Sequence, residues 1–236
     1  TSELYALKIQ YPQIEKAIES DLVALKSIFK IADLFPKISH LDLLFQEVES
    51  MLKQELDYVN EMNWTQKYYS LLKEDSRYIV PKVHTELTST KVITKSFEPG
   101  EAVDSPNIKS LPQEIRNQLA QNALDIYFME LFKWGFVQTD PHIGNYKIRL
   151  NADAPPQIIL YDFGAVREYT PEFLNNYKGL VKAAYSNDLK NLEYFSKALN
   201  FVKDEDPQSL KDLFYEFCFL MIEPFTKQGS PWHNEK

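Results

Sequence analysis

One cysteine, Cys218, stands in 236 residues, so no disulfide can close within the chain. It lies in the apolar stretch FYEFCFLMI, the setting of a packed structural thiol rather than a nucleophile, and it permits a reducing compartment without demanding one. Glycine is scarce too: there are six, and none precedes Gly100, so the first 99 residues hold no glycine-rich loop for a phosphate. No run of basic residues occurs and the net charge is −8, which argues against nucleic acid as a partner while leaving room for a local basic pocket. No apolar run reaches the ~18 residues of a membrane span. The opening TSELYALKIQYP has neither a signal-peptide core nor an arginine-rich transit pattern. It reads as the middle of a strand, the mark of a trimmed or processed start, so targeting is not legible there. What is present is 44% hydrophobic and 14% aromatic residues, a composition that folds into an ordered core.

The pattern along the chain is α+β and two-lobed. LYALKIQ alternates like a strand, and Pro12 is expected to open a helix reaching about Phe29. Ser39 is a candidate N-cap for a second helix whose apolar stripe, Leu41, Leu44, Phe45, Val48, Leu52, Val59 and Met62, runs through to about Leu72. YIVPKV and KVITKSF read as short strands, and EPGEAVDSPN as a linker dividing a first lobe, 1–99, from a second, 100–236. A long amphipathic helix runs from Pro112 to near Gly135, and YKIRL with QIILY makes a hairpin across the breaker-rich NADAPP. Helices are expected after Thr170-Pro171, over about Asp188–Phe201, and over Pro207–Phe225.

The chemistry concentrates between Gln138 and Val166. Asp140 and Asn145 lie five apart directly after a helix, and Asp162 heads Asp-Phe-Gly after an apolar strand. Magnesium takes hard oxygen ligands and keeps waters, so one carboxylate, one amide oxygen and phosphate oxygens suffice to hold it. A D-x-x-x-x-N loop followed by D-F-G supplies an orienting or basic aspartate and two metal ligands for phosphoryl transfer. Each word alone is weak, and Thr-Asp-Pro-His by itself is an ordinary turn; their order and the intervening strand pair are what raise them to a site. In the first lobe, Lys8 between Leu7 and Ile9 is either an edge-strand solubilising lysine or the phosphate-binding lysine of a V-A-I-K-like strand. Glu55 falls on the apolar stripe with Val48, Leu52, Val59 and Met62, where a carboxylate needs a cation, and Lys8 is its expected partner. Glu61 lies round the helix from that stripe and is not expected to pair.

ALKIQYP, ELDYVNEMN, QTDPHIGN and YDFGAVREY resemble the UbiB/ADCK atypical kinases that support ubiquinone (coenzyme Q) biosynthesis, over about residues 4–203. KIQYP, QEIRN and FVQTDP are most similar to the mitochondrial branch. The resemblance implies a bilobal protein-kinase-like fold and Mg-ATP as cofactor. Lys8 would contact the α and β phosphates and pair with Glu55, Phe97 and Glu98 would form the adenine hinge with Ser96, Asp140 would be the catalytic-loop aspartate, and Asn145 and Asp162 would hold Mg2+. It further implies ATPase activity or phosphorylation of a small molecule or lipid. Implied partners are a membrane or lipid surface and a ubiquinone-biosynthesis or other inner-membrane protein complex. The implied location is the matrix side of the mitochondrial inner membrane, or a bacterial cytoplasmic membrane.

The chain departs from the family at three points. The family's Lys-x-Gly-Gln extension and alanine-rich nucleotide loop precede the lysine strand, and here seven residues precede Lys8. These 236 residues alone are therefore expected to bind Mg-ATP weakly and not to turn it over, as an N-terminally truncated lobe would. Ile143 replaces the second proline of Asp-Pro-His-Pro-Gly-Asn, which leaves the metal-facing residues in place. The chain also ends where the family continues with more helix. Residues 165–169 lead straight to the next helix without an Ala-Pro-Glu segment, which argues against a peptide substrate. Two rival readings stay open: a catalytically reduced kinase-like body that binds lipid or partner proteins, and a metal-dependent hydrolase using Asp140, His142 and Asp162, with His142 more readily a loop cap.

Overall fold

The computed structural model describes residues 3–31 and 41–226. Ser39, the expected N-cap of the second helix, lies outside them. The chain falls into two compact units: Thr1–Tyr127 with Val137–Arg167, and Phe128–Phe136 with Glu168–Lys236.

In the first unit, β1 (Tyr5–Ile9) leads to α1 (Ile14–Ile31). Pro12 does not open that helix as expected: Gln13 takes a left-handed φ of 64°, so the chain turns once more before Ile14. The stripe read as one helix through to Leu72 is two, α2 (Leu41–Glu55) and α3 (Tyr58–Leu72). Asp57 divides them. Its carboxylate accepts from the Asn60 N–H at 2.9 Å, so α3 begins afresh with its own phase. The new phase buries Tyr58, Glu61, Thr65, Tyr68 and Leu72.

The strands β2 (Tyr78–Ile79), β3 (Val92–Ser96) and β4 (Glu101–Ala102) follow, then the short α4 (Pro106–Lys109) and α5 (Gln113–Phe128). β3 pairs antiparallel with β1. Tyr58, Val83 and Ile93, with Met62 packed on them, form a small core where α3 meets β3. β5 (Phe136–Gln138) opens the site loop, and β8 (Val166–Glu168) closes it. Between them β6 (Tyr146–Arg149) and β7 (Gln157–Leu160) form the expected hairpin, and the sheet order is β2-β7-β6-β4.

In the second unit, a π-helical turn at Met129–Trp134 ends at Gly135, whose φ of 78° is open to glycine and strained for other residues. The helices α6 (Pro171–Tyr185), α7 (Leu189–Ala198) and α8 (Gln208–Thr226) complete it, α6 capped by Thr170 and α7 by Asp188. Leu180, Ala183, Ala184, Leu192, Leu199 and Tyr215 form their core, and Cys218 packs against it half-buried. Burial raises the Cys218 thiol, as befits a structural residue.

Because Asp57 both starts α3 and sets which residues it turns inward, Asp57→Ala is expected to cost about 1 kcal/mol of stability. A urea titration followed by circular dichroism measures it, and an unchanged midpoint would show that the cap does not hold the break.

Candidate active site

The register of β1 against β3 sets Ala6 opposite Lys95 and Lys8 opposite Ile93. Residues two apart on a strand share a face, so Lys8 and Lys95 project from the same side of the pair as diagonal neighbours. Both reach one carboxylate. Glu61, in the first turn of α3 and 1% exposed, accepts from the Lys8 Nζ at 2.9 Å on one oxygen and from the Lys95 Nζ at 2.6 Å on the other. Lys8 also reaches the Asp162 carboxylate at 3.1 Å, and Lys95 donates to the Tyr161 carbonyl at 2.8 Å. A buried carboxylate is costly unless its charge and its lone pairs are both met, and two ammonium groups meet both here.

Lys8 therefore has an acidic partner, and it is Glu61 rather than the expected Glu55. The expectation carried the α2 stripe through Leu56 and Asp57 as though the helix were unbroken. Glu55 is instead the last residue of α2, and the restart at Asp57 turns Glu61 inward. Glu55 still lies close. A Cβ placed on Gly164 would stand 3.2 Å from the Asp162 carboxylate, 3.7 Å from that of Glu61 and 3.8 Å from that of Glu55. Three carboxylates thus surround the turn of Asp-Phe-Gly, where the absence of a side chain gives them room. Burial, and then the Asp162 charge, push the Glu55 carboxyl up, while Lys8 only partly offsets them.

Asp162 differs. Burial alone would raise its carboxyl, but Lys8 and the Gly164 N–H, which donates at 2.9 Å, hold it below the usual range. Burial likewise works against the Lys8 ammonium, and Glu61 and Asp162 overcome it, leaving Lys8 raised. Phe163, between Asp162 and Gly164, is buried against Tyr68 of α3 with ring centroids 4.3 Å apart.

The loop carrying Asp140 is tied to the loop carrying Asp162 by Gln138. Its amide oxygen accepts from the Asp140 N–H at 2.6 Å, and its amide nitrogen donates to the Asp162 carbonyl at 3.3 Å. The Thr139 N–H and hydroxyl both donate to the Ala165 carbonyl, at 2.8 and 2.7 Å. The Asn145 amide donates to the Asp140 carbonyl at 3.1 Å and to its carboxylate at 2.8 Å. Both amide hydrogens are then committed, and the oxygen is the atom left for a cation. His142 caps the short turn Ile143–Asn145 by accepting from the Gly144 N–H at 3.1 Å. Ile143, where the proline was expected, is solvent-exposed.

Of the expected hinge residues, Phe97 is exposed and its N–H donates to the Leu4 carbonyl at 2.9 Å. The Glu98 carboxylate is held by Arg149 at 2.6 Å and by the Ser96 hydroxyl at 2.9 Å, and its carbonyl accepts from the Tyr161 hydroxyl. The strand leaving Lys95 is thereby fixed to the strand entering Asp162.

Lys8, Asp140, Asn145 and Asp162 all lie in the first unit, Lys8 touching Asp162, and Asn145 touching Asp140. The sequence reading missed Glu61, Lys95 and Gln138. A signal for Lys95 was available: it shares strand parity with Ile93, so a β3 that buries Ile93 must turn a lysine inward as well. As for a cation, an ionised Asp162 carboxylate and a free Asn145 amide oxygen are hard oxygen donors of the kind Mg2+ takes, so the residues present fit it.

A lysine–glutamate pair beside a D-x-x-x-x-N loop and an Asp-Phe-Gly turn, in a mixed α/β chain, defines a kinase-like protein. The comparison with known families agrees: the ABC1 atypical kinase-like domain matches residues 1–196, and the chain belongs to that family. It is similar to the mitochondrial atypical kinase coq-8 of Caenorhabditis elegans, with 32% identity over 219 residues, covering 92% of this chain and 29% of that protein. It is also similar to mitochondrial COQ8 of Saccharomyces cerevisiae, with 32% identity over 222 residues, covering 93% of this chain and 43% of that protein. The chain thus spans less than half the length of these relatives. Among solved structures, Rv3197 of Mycobacterium tuberculosis, determined in complex with erythromycin, shares the fold. The TM-score is 0.69 at 20% identity, over 95% of this chain and 55% of that one.

The two glutamates are expected to respond with opposite signs. Glu61→Gln leaves two lysines facing a neutral amide and should cost about 3 kcal/mol. The Glu55 carboxyl is raised in the fold, so its contribution is full at low pH and is lost as pH rises through the raised value. Glu55→Gln removes that loss, and at pH 7 the variant should be as stable as the wild type or more so. Thermal melts at pH 5 and pH 7 decide it; a large loss with Glu55→Gln and none with Glu61→Gln would reverse the assignment.

Proposed function

We propose that this chain is the nucleotide-binding part of an atypical kinase or ATPase that supports ubiquinone biosynthesis and depends on Mg-ATP. The observation that carries the reading is the meeting of Lys8 with Glu61 and Asp162 on one side of the Gln138 tie, and of Asp140 with Asn145 on the other. In phosphoryl transfer the protein mainly positions groups and neutralises charge, and this set has a residue for each task.

In this reading Lys8 leaves Asp162 for the α and β phosphates, and Glu61 steers it. Asn145 and Asp162 hold Mg2+, whose charge neutralises the polyphosphate when bound. Asn145 also pins one oxygen of the Asp140 carboxylate, and the other accepts the proton of the attacking hydroxyl or water. Ser96–Glu98 form the hinge for the base, between lobes of residues 1–99 and 100–236, with Glu98 held still by Arg149. The names of the relatives support a mitochondrial location; a role beside other ubiquinone-biosynthesis proteins, with the inner membrane as the surface, belongs to the same proposal.

A second reading, a kinase-like body kept for binding lipid or partner proteins, is favoured by one feature. Leu210, Leu213, Phe217, Leu220 and Phe225 of α8 step along the helix at three- to five-residue spacing and are all exposed. No described helix is long and apolar enough to cross a membrane.

The test is thermal stability of the full-length protein with and without Mg-ATP. A ligand at a hundred times its Kd adds about 2.7 kcal/mol to the native state. The wild type should gain a shift of that order, Asp162→Asn should lose it, and Asp140→Asn should keep it while losing turnover. An equal shift in Asp162→Asn would overturn the metal assignment, and no shift in the wild type would favour the binding-body reading.

A further inference from the structure

The hinge spends hydrogen bonds inside the protein that a base would otherwise use. The Ser96 N–H donates to the Lys82 carbonyl at 2.8 Å and the Phe97 N–H to the Leu4 carbonyl at 2.9 Å. Pro99 has no N–H, and its carbonyl accepts from the Arg149 Nε at 3.1 Å. The Glu98 carbonyl accepts from the Tyr161 hydroxyl. Tyr161 itself is fixed beside Asp162: its N–H donates to the Asn145 carbonyl at 3.1 Å, and its carbonyl accepts from the Lys95 Nζ at 2.8 Å. Its side chain shares a face of the hairpin with Ile159, two residues back, and with Lys147, which the register sets opposite Ile159. The Lys147 Nζ stands 5.4 Å from the centroid of the Tyr161 ring. The chain leaving the hinge lies against this same face, since a Cβ on Gly100 would stand 2.6 Å from the Ile159 Cδ1 and 3.1 Å from the Lys147 Cβ. The phenol therefore spans from the strand entering Asp162 to the hinge.

We propose that Tyr161 determines what the site takes at its base end: its phenol stands in the place of a nucleotide base, and a base binds only by displacing it from Glu98. The proposal rests on the nucleotide reading above, in which Ser96–Glu98 form the hinge and Asp162 holds the metal. A nucleotide in that arrangement has its phosphates at Asp162 and the edge of its base at the hinge, the two ends that Tyr161 already joins. The phenol is also chemically like a base. It is a flat aromatic ring that donates from its edge to a hinge carbonyl, as an exocyclic amine would, and the Lys147 ammonium favours an aromatic face there. Burial, and then the Glu98 charge, raise the Tyr161 hydroxyl above its ordinary range, so it stays a donor. Nothing in this contact touches the carboxylate of Asp162 or the amide of Asn145. The resting site thus accepts a Mg-polyphosphate, and a base adds affinity only in proportion to the time the ring is away from the hinge.

Affinities of the full-length protein for Mg-ATP and for Mg-tripolyphosphate, measured by calorimetry, test this. The wild type should bind the two within about threefold of each other, because the base gains little while the phenol holds its place. Tyr161→Leu, with a shorter side chain that does not reach the hinge, should bind Mg-ATP about tenfold more tightly and Mg-tripolyphosphate as before. A general loss of stability, or a shift of the metal ligands, would move both ligands together. Tyr161→Phe keeps the ring and loses the hydroxyl, and should gain in the same direction by a smaller factor; it carries the test if Tyr161→Leu does not fold. The ring itself is followed by 3-fluorotyrosine introduced at position 161, whose 19F resonance should move on saturation with Mg-ATP and far less with Mg-tripolyphosphate. A wild type that prefers Mg-ATP by about tenfold or more, and loses that preference in Tyr161→Leu, would make Tyr161 a contact of the bound base and overturn the proposal. A 19F resonance indifferent to bound Mg-ATP would overturn it as well. If neither the wild type nor Tyr161→Leu binds either ligand, the nucleotide reading itself falls, and the proposal with it.

Discussion

The site depends on giving the Glu61 carboxylate its partners where almost no water reaches it. An isolated buried charge of that kind would cost several kcal/mol, so its surroundings must be built to answer it. Three features of the fold do so together. The register of β1 on β3 brings two lysines to one face, the Asp57 cap sets the phase of α3, and the Tyr161 carbonyl takes a second hydrogen of Lys95. Moving any one by a residue would turn a lysine out to solvent or Glu61 away from both, because strand faces alternate and helix faces rotate by about 100° per residue.

That constraint explains an oddity of β1. Tyr5, Leu7 and Ile9 are exposed while the polar-looking Lys8 faces inward, the reverse of an ordinary half-buried strand. The strand is oriented by charge: the ammonium of Lys8 has two carboxylates on one side of the sheet, and a flip would gain apolar burial only by abandoning them. Reading strand faces from hydrophobicity alone would place Lys8 in water and miss the site.

Where local pattern and local chemistry agree, the sequence was transparent. The β6–β7 hairpin, the Gly135 stop, the Thr170 and Asp188 caps, and the placing of Asp140, Asn145 and Asp162 around one hairpin all follow from turn residues and strand alternation. The α+β class follows from the order of those elements, and its kinase-like character from the resemblance carried by the motifs. The partner of Lys8 did not follow, because a stripe of Val48, Leu52, Val59 and Met62 is continuous in spacing across a helix that is not continuous in backbone. The cue was Asp57 with Asn60 three residues on, a capping arrangement inside an apolar run. Lys95 was passed over for a different reason: a lysine near a strand end reads as solubilising unless something buried is known to want it, and Glu61 had been turned outward.

Gln138 shows how a residue outside the familiar motif can be fixed by geometry. The tie between the two aspartate loops needs one side chain that accepts from the Asp140 N–H and donates to the Asp162 carbonyl. A carboxylate can only accept, and lysine or arginine can only donate. Arginine would also add a positive charge near a cluster in which Lys8 and Lys95 already face Glu61 and Asp162. A neutral primary amide does both tasks and leaves that balance untouched.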